Sequence, residues 1–125
     1  MSGTVLLIED NEQNRYLTTF LLERSGYTVV VAFDGPSGIV EAARWRPDIV
    51  LLDIQLPGMD GYAVAAMLRG IEALRDTPII AVTSYAMVGD REKALGAGCT
   101  GYIEKPINPE TFVAEIEDIA KGGRQ

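Results

Sequence analysis

The sequence has no histidine and a single cysteine, Cys99. One cysteine excludes an internal disulfide and fits a reducing compartment. It has no run of lysine and arginine: its eleven basic residues are scattered, and the net charge is −7. A surface of that sign repels phosphate backbones, so nucleic-acid binding is not expected. No apolar stretch approaches the roughly 20 residues of a membrane span, and no basic segment with a long apolar core opens the chain. No linker, repeat or low-complexity stretch divides it. These absences point to a soluble cytoplasmic protein with no membrane association, and to one domain over residues 1–125. A chain of that length buries about two-thirds of its unfolded surface and needs no metal or disulfide staple.

What is present is an alternation. Short apolar runs stand at Val5–Ile8, Val29–Ala32, Ile49–Leu52 and Ile79–Val82, each bounded by turn residues or charge. Such uninterrupted runs suit strands of a parallel sheet buried on both faces. A weaker run, Thr100–Ile103, carries Gly101 and polar neighbours and reads as an edge strand. Helical segments lie between the runs. Leu17, Phe20, Leu21 and Arg24 follow helical spacing, with Gly26 placed to end that helix. Asp34-Gly35-Pro36 opens a second helix, with Ile39, Val40 and Ala43 expected to face inward and Arg46-Pro47 to stop it. A third spans roughly Tyr62 to Leu74, with Asp60 placed to cap it. A fourth, roughly Val88 to Ala97, has few large apolar residues and reads as the least stable. Asn108-Pro109-Glu110 opens a fifth, buried through Phe112, Val113, Ile116, Ile119 and Ala120. Five strands alternating with five helices predict a doubly wound α/β fold with helices on both faces of the sheet.

In open parallel sheets, sites form beyond the carboxyl ends of the strands. The first run ends in Glu9-Asp10, the third in Asp53, the fourth in Thr83-Ser84 and the fifth in Glu104-Lys105-Pro106. Three acids, a hydroxyl and a lysine should converge on one sheet edge. Carboxylates so close repel, and one pKa should rise unless a cation intervenes. Oxygen donors without histidine or thiolate favour Mg²⁺ over zinc or copper. A carboxylate beside Mg²⁺ and Lys105 can act as nucleophile toward a phosphoryl group, with the Thr83 hydroxyl stabilising the charge that develops. Taken singly, each residue has an ordinary structural reading: a solvated turn acid, a strand-end hydroxyl.

Together, "LLIEDN", "DIVLLDIQLPGMDGY", "PIIAVTSYAM" and "GYIEKPI" resemble the four signature stretches of the response-regulator receiver domain of two-component signalling. The resemblance runs the length of the chain. It is nearest to the single-domain cell-division and polarity regulators of alphaproteobacteria, which carry no output domain. It implies a flavodoxin-like (βα)5 sheet of order 2-1-3-4-5. It implies Asp53 as phosphoacceptor and Asp10 as a direct Mg²⁺ ligand (Mn²⁺ can substitute). Glu9 is then the second acid and the Gln55 backbone carbonyl a third protein ligand. Thr83 corresponds to the switch hydroxyl, Lys105 to the lysine that contacts the phosphoryl group, and Lys105-Pro106 to a cis peptide. Tyr102 corresponds to the aromatic switch residue, although an edge-strand tyrosine also serves as half-buried packing. Ser84 replaces the usual small alanine and should make the pocket more polar.

The implied function is a switch. A histidine kinase or phosphotransfer protein donates a phosphoryl group to Asp53, and a downstream protein docks on the face formed by helix four, strand five and helix five. Asn14, Tyr16 and Leu17 are candidate kinase contacts, and a monomer or weak dimer is expected. The protein's catalysis is then limited to its own phosphorylation and slow dephosphorylation, in which Gln55 and a shielding Tyr85 flank the line of water attack. Three rival readings compete with this one. A Mg²⁺-dependent aspartyl-nucleophile phosphohydrolase needs an acid where Gln55 stands. A pseudo-receiver binding module would not need the full reactive set. A flavin carrier would need a Ser/Thr-Gly-rich phosphate loop after strand one. Trp45 and Met67 are expected to pack internally, and Cys99 to behave as a small apolar residue.

Overall fold

The computed structural model describes residues 3–84 and 89–122. Within them the chain alternates β1 (Gly3–Ile8), α1 (Glu12–Arg24), β2 (Tyr27–Ala32), α2 (Gly35–Trp45), β3 (Ile49–Asp53) and α3 (Gly61–Arg69). A 3₁₀ turn (Glu72–Leu74), β4 (Ile79–Thr83), α4 (Asp90–Gly96), β5 (Gly101–Glu104) and α5 (Phe112–Gly122) follow. The strands form one parallel sheet in the order β2-β1-β3-β4-β5, as expected of a flavodoxin-like (βα)5 fold.

Strand side chains alternate between faces, and two cores follow from that period. Leu6, Ile8, Val50, Leu52, Ile79 and Ala81 pack with Ala42, Val64, Leu68 and Ala94 from α2, α3 and α4. Val5, Leu7, Ile49, Leu51 and Ile80 pack with Leu21 and Leu22 of α1 and Phe112 and Ile116 of α5. The alternation fixes where strand-end residues point. Asp53 continues the Ile49–Leu51 series toward α1 and α5, whereas Thr83 continues the Ile79–Ala81 series toward the other layer.

The helix boundaries follow capping chemistry. Asn11, Asp34 and Asp60 each accept a backbone N–H from the first turn of the helix they open. Gly26 adopts φ 99° just past α1, a conformation that costs glycine little.

Several expectations need correction. The buried face of α2 runs through Gly35, Gly38 and Ala42, while Val40 and Ala43 are exposed. The inward positions hold small residues because a Cβ on Gly38 would lie 2.5 Å from Ile8 Cδ1, so hydrophobicity alone misplaces the stripe. Trp45 and Met67 are half exposed, at 51% and 52%. The Trp45 indole N–H donates to Glu41, and the Arg44 guanidinium lies over its ring. The third helix stops at Arg69, because Gly70 ends it and a 3₁₀ turn covers the rest of the expected span. Asn108 caps a turn over residues 109–111, accepting the Glu110 N–H, and α5 proper begins at Phe112. β2 lies at the sheet edge with Thr28 exposed, not buried on both faces. Cys99 is buried as expected, and burial pushes its thiol up to about 11. Tyr85 and the start expected for the fourth helix at Val88 lie outside the described residues.

Candidate functional site

The loops leaving β1, β3, β4 and β5 meet at one end of the sheet. Glu9 and Asp10 follow β1, Asp53 closes β3, Thr83 closes β4, and Lys105 follows β5. Register places them together: β1 pairs with β3 up to Ile8–Leu52, β3 with β4 up to Asp53–Val82, and β4 with β5 up to Thr83–Glu104. The expected convergence is therefore present.

Glu9, Asp10 and Asp53 each offer a carboxylate oxygen, and these oxygens lie within 4.8 Å of one another. Glu9 and Asp53 are buried, while Asp10 is exposed. Lys105 Nζ lies 3.1 Å from Glu9 Oε1 and 3.5 Å from Asp53 Oδ2. Its side chain is largely buried between the two acids. Burial, with Asp53 beside it, pushes the Glu9 carboxyl up to about 7, and Lys105 only partly offsets this. An all-oxygen cluster whose charges resist one another fits a hard divalent cation such as Mg²⁺ or Mn²⁺. Glu9, Asp10 and Asp53 are the groups that would hold it. Such an ion would offset the mutual repulsion of the three carboxylates.

The surrounding chain holds this cluster in place. The Asn11 N–H donates to Glu9 Oε2 at 3.2 Å. Arg15, on the first turn of α1, donates to the Glu9 and Asp10 carbonyls at 3.2 and 2.7 Å and stacks on Phe33. The Gln55 N–H donates to Asp53 Oδ1 at 2.9 Å. Its side chain reaches across to the Thr83 hydroxyl and the Ser84 N–H. Gly61 keeps this loop tight, since a Cβ there would lie 2.5 Å from Ile54 Cα. Lys105-Pro106 is a cis peptide, as the resemblance implied. Sequence reasoning missed Arg15 and the Gln55 side chain. The first carries no motif, and the sequence places the second beside the line of water attack without showing its bonds to Thr83 and Ser84.

Beside Asp53 a cavity of about 420 Å³ opens between α1 and α5. Leu7, Leu17, Leu51, Val82 and Phe112 form its walls, and Glu9, Asp53 and Lys105 stand at its mouth. Asn14 and Leu17 line it, but Tyr16 points away beside Phe20, so the three α1 residues singled out from sequence do not share one face.

Tyr102 lies on the layer of Thr83 and packs half-buried against the core there. Burial and the nearby Glu104 and Asp90 carboxylates raise its hydroxyl pKa. Tyr62, on α3, reaches Asp90 at the start of α4 at 3.4 Å, with the Lys93 ammonium over its ring. No described helix is long and apolar enough to cross a membrane.

Residues 5–117 match the response regulator receiver domain family. The polar-differentiation response regulators DivK of Brucella anthropi and Brucella ovis are each 41% identical over 117 residues, covering 94% of this chain and 95% of theirs. The chemotaxis protein CheY4 of Vibrio cholerae superposes with a TM-score of 0.90 at 27% identity, over 95% of this chain and 99% of that one. The receiver domain of a Pseudomonas aeruginosa sensor histidine kinase superposes with a TM-score of 0.86 at 35% identity, over 96% of this chain and 98% of that one. That structure has a magnesium ion coordinated in its active site cleft.

Proposed function

The chain belongs to the response regulator receiver domain family, and on that premise we propose that it is a phosphorylation-dependent switch with Asp53 as phosphoacceptor. The observation that carries this reading is the placement of Asp53: a buried strand-end carboxylate with Glu9, Asp10 and Lys105 around it. A histidine kinase or phosphotransfer protein is the donor. An Asp53 oxygen attacks phosphorus, the P–N bond to the donor imidazole breaks, and the imidazole leaves with the electron pair. Lys105 stays beside the acceptor and offsets the charge gathering there. Asp10 and Glu9, with the Gln55 carbonyl, are the groups assigned to the cation. The Thr83 hydroxyl then closes on a phosphoryl oxygen, and Tyr102 relays that shift to α4 and α5, where a target protein binds.

The reading covers a single receiver domain working in the cytoplasm through protein partners, as a monomer or weak dimer, without nucleic acid or membrane. The phosphohydrolase alternative is disfavoured because Gln55, already engaged with Thr83 and Ser84, occupies the place a general acid would need. The test is intact-mass spectrometry after incubation with acetyl phosphate and Mg²⁺. One phosphoryl adduct is expected, absent in Asp53→Asn. No adduct on the wild type, an adduct that survives this substitution, or sustained hydrolysis of small phosphate esters would overturn the proposal.

A further inference from the structure

The Gln55 side chain is assigned no contact with the phosphoryl group or the cation, only a place beside the line of water attack, yet both ends of its amide are engaged. Its Nε2 donates to the Thr83 hydroxyl. Its Oε1 accepts the Ser84 N–H at 3.0 Å. Its own backbone N–H donates to Asp53 Oδ1 at 2.9 Å. One residue therefore ties the acid ending β3 to the hydroxyl that ends β4 and to the amide after it. A carboxamide holds its donor and acceptor in one rigid plane, so a movement at either partner is felt at the other. Gln55 is half-buried and Thr83 buried, which shelters the bond between them from competing water, whereas the Ser84 bond lies at the exposed rim.

From this geometry we infer that Gln55 is a positioning residue, a latch that holds Thr83 and the Ser84 amide in the arrangement they take while Asp53 is unmodified. The inference rests on the proposed phosphoacceptor role of Asp53. For Thr83 to close on an oxygen bound to Asp53, its hydroxyl and the backbone that follows must shift together. An amide bonded to both cannot follow both, so at least one bond opens. The latch therefore opposes anion binding at Asp53 and sets how far the switch favours its resting arrangement. Its removal should bias the domain toward the anion-bound arrangement without any change at Asp53, Glu9, Asp10 or Lys105.

The test is titration of the full chain with beryllofluoride in the presence of Mg²⁺, followed by calorimetry and by the ¹⁵N-resolved Ser84 amide. Methionine at position 55 keeps the length of glutamine but neither hydrogen bond. Gln55→Met should bind beryllofluoride roughly three- to tenfold more tightly, the scale of one or two net hydrogen bonds. Its unliganded Ser84 amide resonance should move toward the position that the wild type reaches only when liganded. In a Thr83→Val background the same substitution should give a clearly smaller gain, since only the Ser84 bond is then left to lose. Unchanged or weaker binding by Gln55→Met overturns the latch and leaves the phosphoacceptor reading standing, as does an equal gain in both backgrounds. Absence of beryllofluoride binding by the wild type overturns both.

Discussion

Lys105 Nζ lies 3.1 Å from Glu9 Oε1 and 3.5 Å from Asp53 Oδ2, so the lysine pairs more closely with Glu9 than with Asp53. Both acids are buried, and breaking a buried pair leaves charge without compensation. Lys105→Met should therefore cost about 3 kcal/mol in urea denaturation near pH 8. Near about pH 5.5, where Glu9 is protonated, the loss should be clearly smaller. Equal losses at both pH values would show that the ammonium does not work against the Glu9 charge.

On the proposed cation site, Glu9 should carry the pH dependence of Mg²⁺ binding. Its carboxyl is raised from 4.5 to about 7, chiefly by burial and secondly by Asp53. A raised acid stabilises the fold in its protonated form. That contribution is complete below about 4.5 and is lost as the pH rises through about 7. Mg²⁺ needs the carboxylate, so calorimetric affinity for Mg²⁺ should weaken by up to about tenfold per pH unit below about 7 and level off above it. Mg²⁺ should also restore stability at high pH, because it binds the folded chain alone. A flat affinity across that range would remove Glu9 from the cation site.

Gly61→Ala tests the loop that follows Asp53. The added methyl would lie 2.5 Å from the Ile54 backbone, which cannot rotate away as a side chain can. Overpacking of this kind costs about 1–3 kcal/mol. Since Ile54 is followed by Gln55, the rate of adduct formation with acetyl phosphate should fall along with the urea midpoint. Loss of stability at an unchanged rate would separate the loop from the site.

Arg69 secures the far end of the sheet. Its guanidinium donates to the carbonyls of Leu74, Arg75, Thr77 and Gly98. Arg69→Met orphans several part-buried acceptors at once and should cost about 2–3 kcal/mol. Hydrogen exchange should speed up at the segments before β4 and β5, with little change in β1. Uniform acceleration across the sheet would instead indicate global destabilisation alone.

Most of the fold was legible in the sequence because the parallel strands declare themselves as short apolar runs. The five acid, hydroxyl and lysine positions were legible for a related reason: strand ends can be counted, and a parallel sheet sends them to one edge. What escaped notice depends on shape, not polarity. Val40 is apolar and exposed, whereas Gly38 is buried because Ile8 fills the space a side chain would need. The start of α5 was displaced to Phe112 because Asn108 satisfies a turn first. The bridging role of Gln55 depends on a loop conformation that no residue pattern encodes, and the Arg15 contacts with the Glu9 and Asp10 carbonyls depend on the first turn of α1 folding back over β1.

The parity of the strands has a further consequence. Asp53 opens toward α1 and α5, while Thr83 opens toward α2, α3 and α4. The sheet is thus a wall with a single gap at its carboxyl edge. On the latch reading, a change at Asp53 passes to the Thr83 side through residues at that edge, and Gln55 is one of them. On the proposed reading, α1 can vary to suit the protein that delivers the signal and α4 to suit the one that reads it, while α5, packed with α1 yet part of the proposed docking face, is constrained by both.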